Sequence, residues 1–502
     1  MSPSVRTKML SEILPPAAIF QQGADIAVTG ISQDSRQVSS GDLFVAKQGI
    51  SDSGSKYIEE ALAKGACAVL TDDSDVGVEQ DEVSLAYLPD LDKTLSGIAG
   101  TFYDAPSLRM SVTGVTGTNG KTSCCYWYAW LSNQLGRACG QIGTLGAGYQ
   151  KQLGDSLTVT GMTTPDAVRV QSILADAHQT GAEAVVMEVS SHALDQGRVE
   201  AVNFESAIFT NLTQDHLDYH GDMDAYFAAK ASLFGRDELQ RVVLNRDDAS
   251  FDRLAASLKA ETKLYSYSLS QAVADLFFDH VSWTEQGAQV VLDGQWGRLD
   301  TLIPVVGDYN LANVLAVTTA LLSTGFDSQT VVAALANLPA VPGRMQLVSR
   351  PNCPRVVVDY AHTPDAVLNA LQALRSQVNG KLIAVLGCGG DRDQSKRVPM
   401  ARNAAENADA CWFTSDNPRF ENPQDILDQM VTGADGEHIQ VVEQRDLAIR
   451  QAIESANVDD LVLVLGKGHE EYQEIAGKRA PFSDAVRAEE ILDERMTASE
   501  QS

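Results

Sequence analysis

Cysteine is scarce in this chain, seven among 502 residues, an odd number without the paired spacings of a metal site. Even the adjacent Cys124-Cys125 pair reads as reduced thiol filling core space, which excludes a disulfide framework. Positive charge is scarce as well: 38 Lys and Arg stand against 67 Asp and Glu, a formal net charge of -29. That balance leaves no basic field to hold a phosphodiester backbone and excludes nucleic acid as a partner. An anionic ligand would have to be held by local devices: backbone N–H nests, Mg²⁺ or individually placed arginines. No apolar run approaches a membrane span, and Glu12 and Pro15-Pro16 interrupt the stretch a signal peptide would need, so a cytoplasmic protein without a membrane partner is expected. Low-complexity linkers and short-period repeats are missing too.

What is there is a globular composition, 44% hydrophobic and 21% charged, on a chain too long for one core. The most informative stretch is Met110 to Thr122, a short apolar strand running into a glycine-rich turn that ends in Gly-Lys-Thr. Gly114, Gly117 and Gly120 let backbone N–H groups turn toward an anion, with Thr118 and Asn119 between the last two. Lys121 can reach terminal phosphates, and the Thr122 hydroxyl can ligate Mg²⁺. The match to the general phosphate-binding pattern is not strict, because Val115 stands where its first glycine belongs. The spacing predicts a helix over 123–136, its dipole pointing at the bound phosphate. An ordinary glycine-rich turn has no need for lysine and threonine together at its end, so ATP is the expected ligand.

Three α/β domains are predicted, at 1–104, 105–341 and 342–502. In the first, Asp42–Ala46 and Ala66–Leu70 read as strands around a helical 57–64, and the loops 32–36 and 49–54 read as turns. In the second, Ala184–Met187, Ser206–Phe209 and Val242–Leu244 suit buried parallel strands, each ending in polar residues. The third begins near Pro342-Gly343-Arg344, with strands expected at Val356–Asp359, Leu382–Leu386, Cys411–Thr414 and Leu461–Leu465. Their carboxyl ends lead into polar or glycine-rich loops, where open α/β sheets bind ligands. That second face is expected to turn toward the phosphate cradle.

Glu188, at the end of a buried strand beside the cradle, is placed to hold Mg²⁺; the plainer reading makes Ser190 or Ser191 a helix cap and leaves Glu188 solvated. Residues 210–222 carry two histidines and three acidic groups, beyond what a surface turn needs. Lys230 lies in a helical stretch where an apolar residue or a snorkelling cation would be ordinary. As an ammonium it cannot ligate a cation; carbamylated by CO₂ it would offer an anionic oxygen.

Taken in order, Thr-Gly-Thr-Asn-Gly-Lys-Thr (116–122), Glu-Val-Ser-Ser-His (188–192), Thr-Asn-Leu-x-x-Asp-His-Leu-Asp-Tyr-His-Gly (210–221) and Tyr-x-x-Ala-Lys (226–230) resemble the Mur ligases of peptidoglycan precursor synthesis. The likeness runs from Asp34-Ser-Arg36 to about Asp484 and lies nearest the branch that adds meso-diaminopimelate. It implies a small N-terminal α/β domain that grips uridine, a central P-loop NTPase-like domain with a mostly parallel sheet, and a C-terminal Rossmann-like domain for the incoming amino acid. It also implies a monomer with Mg²⁺ as cofactor, and three small-molecule substrates: ATP, meso-diaminopimelate and UDP-N-acetylmuramoyl-L-alanyl-D-glutamate.

Residue by residue, the resemblance makes Lys121 and Thr122 phosphate and Mg²⁺ contacts. Glu188 and His216 become metal ligands, and Lys230 the carbamylated lysine. Asn310, Asn313, Arg344 and Asp359 would surround the nucleotide from the domain junction. Thr163, Thr164, Ser190, Gln196 and Arg198 would hold the muramoyl dipeptide, and Gln33 and Ser35 the uridine end. Asp416-Asn417-Pro418-Arg419 would select the amino acid, with the Arg419 guanidinium pairing its distal carboxylate. Arg392, Gly466 and Glu470 complete that set, Glu470 facing the distal ammonium. Taken without its neighbours, 416–419 reads sooner as a type I turn capping a helix. The loop 49–54 and Met162 depart from the family's usual spelling and leave the uridine and muramoyl contacts open. A folylpolyglutamate or cyanophycin type of ligase, a P-loop switch or motor ATPase and a non-catalytic homologue are the competing readings.

Overall fold

The computed structural model describes residues 6–49, 53–80, 82–149, 157–284, 286–434 and 436–500. Ile50, Ser51 and Asp52, part of the atypical first-domain loop, lie outside the described residues. The chain divides into two compact units, Met1–Tyr267 with Ala316–Phe326, and Ser268–Leu315 with Asp327–Ser502.

Among the described residues the first unit holds two main sheets, beside a two-stranded ladder of Lys8–Met9 with Ala27–Val28. The smaller runs Ile19–Gln22, Ser84–Tyr87, Ala68–Thr71, Asp42–Ala46 and Gly30–Ser32, parallel except at the first pairing. Asp42–Ala46 is buried at every position, the pattern of a strand covered on both faces. The larger runs Gly146–Tyr149, Cys139–Gly143, Ala184–Glu188, Ser111–Thr116, Ser206–Phe209, Arg241–Asn245 and Lys263–Ser268. Its pairings are parallel apart from the hairpin at the Gly146–Tyr149 edge. Ser111–Thr116 is flanked by Ala184–Glu188 on one side and Ser206–Phe209 on the other, which sets Glu188 opposite Val115 and Phe209 opposite Thr116. The phosphate cradle therefore leaves the sheet between the two strand ends that carry Glu188 and Thr210. The helix after it spans Lys121–Gln134, two residues earlier than its apolar spacing suggests, because Gly120 at φ +87° forms the cap. Trp127 and Leu131 face the core.

The second unit is built on a sheet ordered Gln346–Val348, Arg355–Asp359, Leu461–Leu465, Leu382–Cys388, Ala410–Ser415 and Ile439–Val441. All pairs are parallel except the first. The four expected strands are present, three of them a residue or two longer than their apolar runs. The unit also holds an antiparallel meander, Leu276–Thr284, Gly287–Gly294 and Leu299–Ile303, and a hairpin of Tyr472–Ile475 with Lys478–Pro481. The seven cysteines are free thiols, and six are buried. Among the described residues, no helix is long and apolar enough to cross a membrane.

Candidate active site

In the first unit the cradle is stitched to the following strand end. Thr118 N donates to Asn211 O at 2.8 Å and Asn119 N to Asn211 Oδ1 at 3.0 Å, while Thr210 Oγ1 donates to Asn119 O at 2.6 Å. Gly117 sits at φ +146°, and a Cβ there would stand 1.9 Å from Thr210 Oγ1, so only glycine allows this approach. Lys121 Nζ folds over the loop onto the carbonyls of Gly117 and Thr118, at 2.9 and 2.7 Å. That keeps its charge beside the helix N-terminus, where an anion would bind.

Glu188 is 1% exposed, so the solvated alternative is overturned, while Ser190 does cap the helix Ser191–Asp195. The Glu188 carboxylate accepts from Thr122 Oγ1 at 3.0 Å, Thr144 N at 2.7 Å and Thr144 Oγ1 at 3.3 Å. Gly143 leaves it room, since a Cβ there would be 2.3 Å from Oε1. Thr144 carries no motif signal; its position shows only through the sheet. These hard oxygen donors on the helix that follows the cradle and on the adjoining strand suit Mg²⁺. Among the described residues no three His, Cys, Asp or Glu side chains converge as a metal site. The expected ligand set contains only two such groups, beside a threonine and a modified lysine.

Lys230 lies in the last turn of the helix Met223–Ala231, started by the Asp222 cap. It is 1% exposed, donates to Gly117 O at 2.9 Å and lies 4.4 Å from the Tyr226 ring centroid. Burial, with the nearby Lys121 charge, lowers its pKa to about 6, so the amine is largely neutral at pH 7. A neutral amine is the form that attacks CO₂. His216 takes the left-handed conformation, φ +53°, and its ring packs on His192 and Tyr226 with centroids 4.8 and 6.1 Å away. Tyr226 is thus the common neighbour of Lys230, His216 and, through its hydroxyl, Thr118.

Thr163, Thr164, Ser190, Gln196 and Arg198 form one hydrogen-bonded chain. Thr164 Oγ1 donates to Glu188 O and lies 3.3 Å from Ser190 Oγ, Thr163 meets Thr144, and Arg198 reaches Thr164 O at 2.8 Å and Gln196 Oε1 at 2.6 Å. Met162 joins through its thioether, 3.6 Å from Arg198 Nη1. A cavity of about 140 Å³ between Gln196, Arg198, Gln33 and Lys47 adjoins this chain. A larger one, about 1270 Å³, is lined by 31–37 and by segments of 147–180. Gln33 and Ser35 both line it; Ser35 donates to Glu60 at 2.8 Å, and Gln33 Oε1 is buried without a hydrogen-bond partner. The loop 32–36 is thus both a turn, capped by Asp34, and a cavity wall.

In the second unit Asn310 and Asn313 lie near the start of the helix Asp308–Ser323, both buried. Arg344 stacks over Tyr360, 4.8 Å from its centroid, with Nε buried and unpartnered. Asp359 accepts from Met345 N and Ala361 N; burial raises its pKa against the opposing pull of Arg344 and those two N–H groups. Asp359 and Arg344 both act electrostatically on Tyr309, next to Asn310.

The other seven residues meet at the ends of Ala410–Ser415, Leu382–Cys388 and Leu461–Leu465. Arg419 Nη1 donates to Gly390 O at 2.6 Å, and a Cβ on Gly389 would stand 3.1 Å from that guanidinium and 3.7 Å from Arg392 Cγ. Pro418 lies against Gly390 and Asp416 against Gly466, while Asn417 Nδ2 donates to Glu470 Oε2 at 2.7 Å. The helix-cap reading of 416–419 does not hold: Asn422 caps the next helix, and Arg419, at φ +53°, bridges Ile475 instead. Beneath these loops Arg445 and Asp484 form an ion pair with both side chains 0% exposed, and Arg445 Nη2 holds Leu465 O at 2.9 Å. Lys467, buried between Asp416 and Glu470, is a second cation that the motif spelling leaves unassigned.

Three segments match known domain families: 27–103 the Mur ligase family catalytic domain, 115–321 the Mur ligase middle domain, and 343–468 the Mur ligase glutamate ligase domain. A protein of Alkalilimnicola ehrlichii named UDP-N-acetylmuramoyl-L-alanyl-D-glutamate--2,6-diaminopimelate ligase is 44% identical over 495 residues, 97% of this chain and 99% of its own. A solved structure titled with the same name is 36% identical with a TM-score of 0.69, covering 93% of this chain and 95% of that one. The MurF ligase from Thermotoga maritima in complex with ADP shares the fold, with a TM-score of 0.63, 18% identity and coverage of 94% and 98%. Identity at this level along almost the whole of both chains, with the three domain matches in order, means that the chain belongs to the Mur ligase family.

Proposed function

We propose that this protein is an ATP-dependent ligase that joins meso-diaminopimelate to the D-glutamyl side-chain carboxylate of UDP-N-acetylmuramoyl-L-alanyl-D-glutamate. It would release ADP and phosphate, acting as a cytoplasmic monomer in peptidoglycan precursor synthesis. The observation that carries this reading is the meeting of Arg392, Asp416, Asn417, Arg419 and Glu470 on neighbouring strand ends. Relatives that bear the corresponding name cover nearly the whole chain.

A carboxylate and an amine do not condense in water. The carboxylate oxygen therefore attacks the γ-phosphorus of ATP, ADP leaves, and an acyl phosphate forms. The amine then attacks the acyl carbon, phosphate departs and the nitrogen loses a proton. Lys121 and the cradle N–H groups hold the phosphates and offset their charge. Thr122, Glu188, His216 and carbamylated Lys230 would hold Mg²⁺, which supplies further charge neutralisation when bound. Thr163, Thr164, Ser190, Gln196 and Arg198 hold the muramoyl dipeptide, Gln33 and Ser35 the uridine end in the larger cavity, and Asn310, Asn313, Arg344 and Asp359 the nucleotide. Arg419 and Arg392 take the distal carboxylate, and Glu470 the distal ammonium. On this reading the domains span 1–104, 105–341 and 342–502.

The test is ADP release with each substrate omitted in turn, using acceptor labelled with ¹⁸O in the glutamyl carboxylate. Release that needs all three substrates, with one label passing to phosphate, supports the reading. Release indifferent to the amino acid would support a switch ATPase.

A further inference from the structure

The two loops assigned to the diamino acid meet on a lysine that the reaction scheme leaves unused. Lys467 follows Gly466, whose φ of +114° turns the chain back from its strand. Its side chain is 0% exposed, and Nζ donates to Asn417 Oδ1 at 3.0 Å and Glu470 Oε2 at 3.1 Å, with Asp416 Oδ1 3.8 Å away. Asn417 Nδ2 donates to the same Glu470 oxygen at 2.7 Å. Asn417 Oδ1 is fixed from its other side by Glu474 N at 2.9 Å.

Two features set this apart from a salt bridge that merely holds the domain together. A buried ion pair gains little stability over well-packed apolar residues, so a lysine among carboxylates at this depth calls for another reason. Both donors fall on Oε2 of Glu470 and, among the described residues, neither hydrogen bond falls on Oε1. A carboxylate held by one oxygen keeps its other oxygen in a fixed direction, with lone pairs for one more donor. The Glu470 side chain is 21% exposed, so the carboxylate is not sealed from a ligand.

We propose that Lys467 is a positioning residue for amino-acid selection: by pinning Glu470 Oε2 and Asn417, it aims Glu470 Oε1 at an ammonium of the incoming diamino acid. The inference rests on the diaminopimelate reading above. It explains how Glu470 accepts a substrate ammonium while already paired with a protein one, since the two cations use different oxygens.

Steady-state kinetics of the full chain test it, with KM measured separately for meso-diaminopimelate, ATP and the UDP-linked dipeptide in wild type, Lys467→Met, Glu470→Gln and the double variant. A charge-assisted hydrogen bond is worth roughly 1.5–3 kcal/mol, so Lys467→Met should raise KM for meso-diaminopimelate roughly 10- to 150-fold. The other two KM values should stay put, and the double variant should be no worse than Glu470→Gln alone. An unchanged KM, three KM values rising together, or effects that multiply would overturn the proposal. If Lys467→Met fails to fold, Lys467→Arg makes the same comparison, because it keeps the buried charge while displacing its contacts. A wild type that does not use meso-diaminopimelate would sink the functional reading itself, whereas a wild type that does, with an indifferent Lys467, would sink only this inference.

Discussion

Replacing Gly117 by alanine should disable the phosphate cradle. Two costs are readable at that residue. At φ +146° an alanine sits in a region open essentially to glycine alone, a strain of about 1–3 kcal/mol. Its Cβ would also stand 1.9 Å from Thr210 Oγ1, forcing that hydroxyl off the Asn119 carbonyl it now holds at 2.6 Å. The lost hydrogen bond adds about 1 kcal/mol. If the loop keeps its shape, the sum of roughly 2–4 kcal/mol lowers stability; if it relaxes, the same amount is lost from ATP binding, roughly 30- to 1000-fold. Calorimetric titration with ATP and a thermal melt on each variant separate the two. Thr210→Ala removes the clashing hydroxyl, so Gly117→Ala/Thr210→Ala should recover part of the loss but not the backbone strain. Gly117→Ala that binds ATP within twofold of wild type and melts at the same temperature would refute the reasoning.

Asp484→Asn should destabilise the second unit by about 3–5 kcal/mol, because it strands the wholly buried Arg445 charge; replacing both residues by apolar ones should restore most of it. Differential scanning calorimetry reads both, and a melt unchanged in Asp484→Asn would contradict the buried-pair argument. Lys230→Ala should cut ligation about a hundredfold or more while leaving the circular dichroism spectrum intact. Wild-type rates in that variant would remove its metal role. Stripping divalent cations should abolish turnover and added Mg²⁺ restore it; turnover that survives chelation would contradict the metal site.

The parallel strands and their loops were legible because a strand buried on both faces is a short apolar run, and its carboxyl end shows as a break into glycine and polar residues. Leu461–Leu465 followed by Gly466-Lys467-Gly468 is such a case. The phosphate cradle was legible for a similar reason, since backbone geometry there demands glycine. The meander Leu276–Ile303 carries no such signal: its strand Leu276–Thr284 loses alternation at a bulge between Phe278 and His280. Thr144 and Lys467 stayed hidden for another cause. Each acts through a partner more than forty or a few residues away in sequence, Glu188 and Glu470, and only the folded register brings the pair within hydrogen-bond reach. Positive φ at His216 and Arg419, which re-aims both side chains, is likewise invisible in residues that ordinarily avoid it.

Comparing turnover with meso-diaminopimelate and with L-lysine in wild type and Arg419→Ala asks whether the loops around Arg419 select meso-diaminopimelate for ligation. Wild type should strongly prefer meso-diaminopimelate, and this preference should collapse in the variant. Equal use of L-lysine by the wild type, or a preference that survives Arg419→Ala, would contradict it.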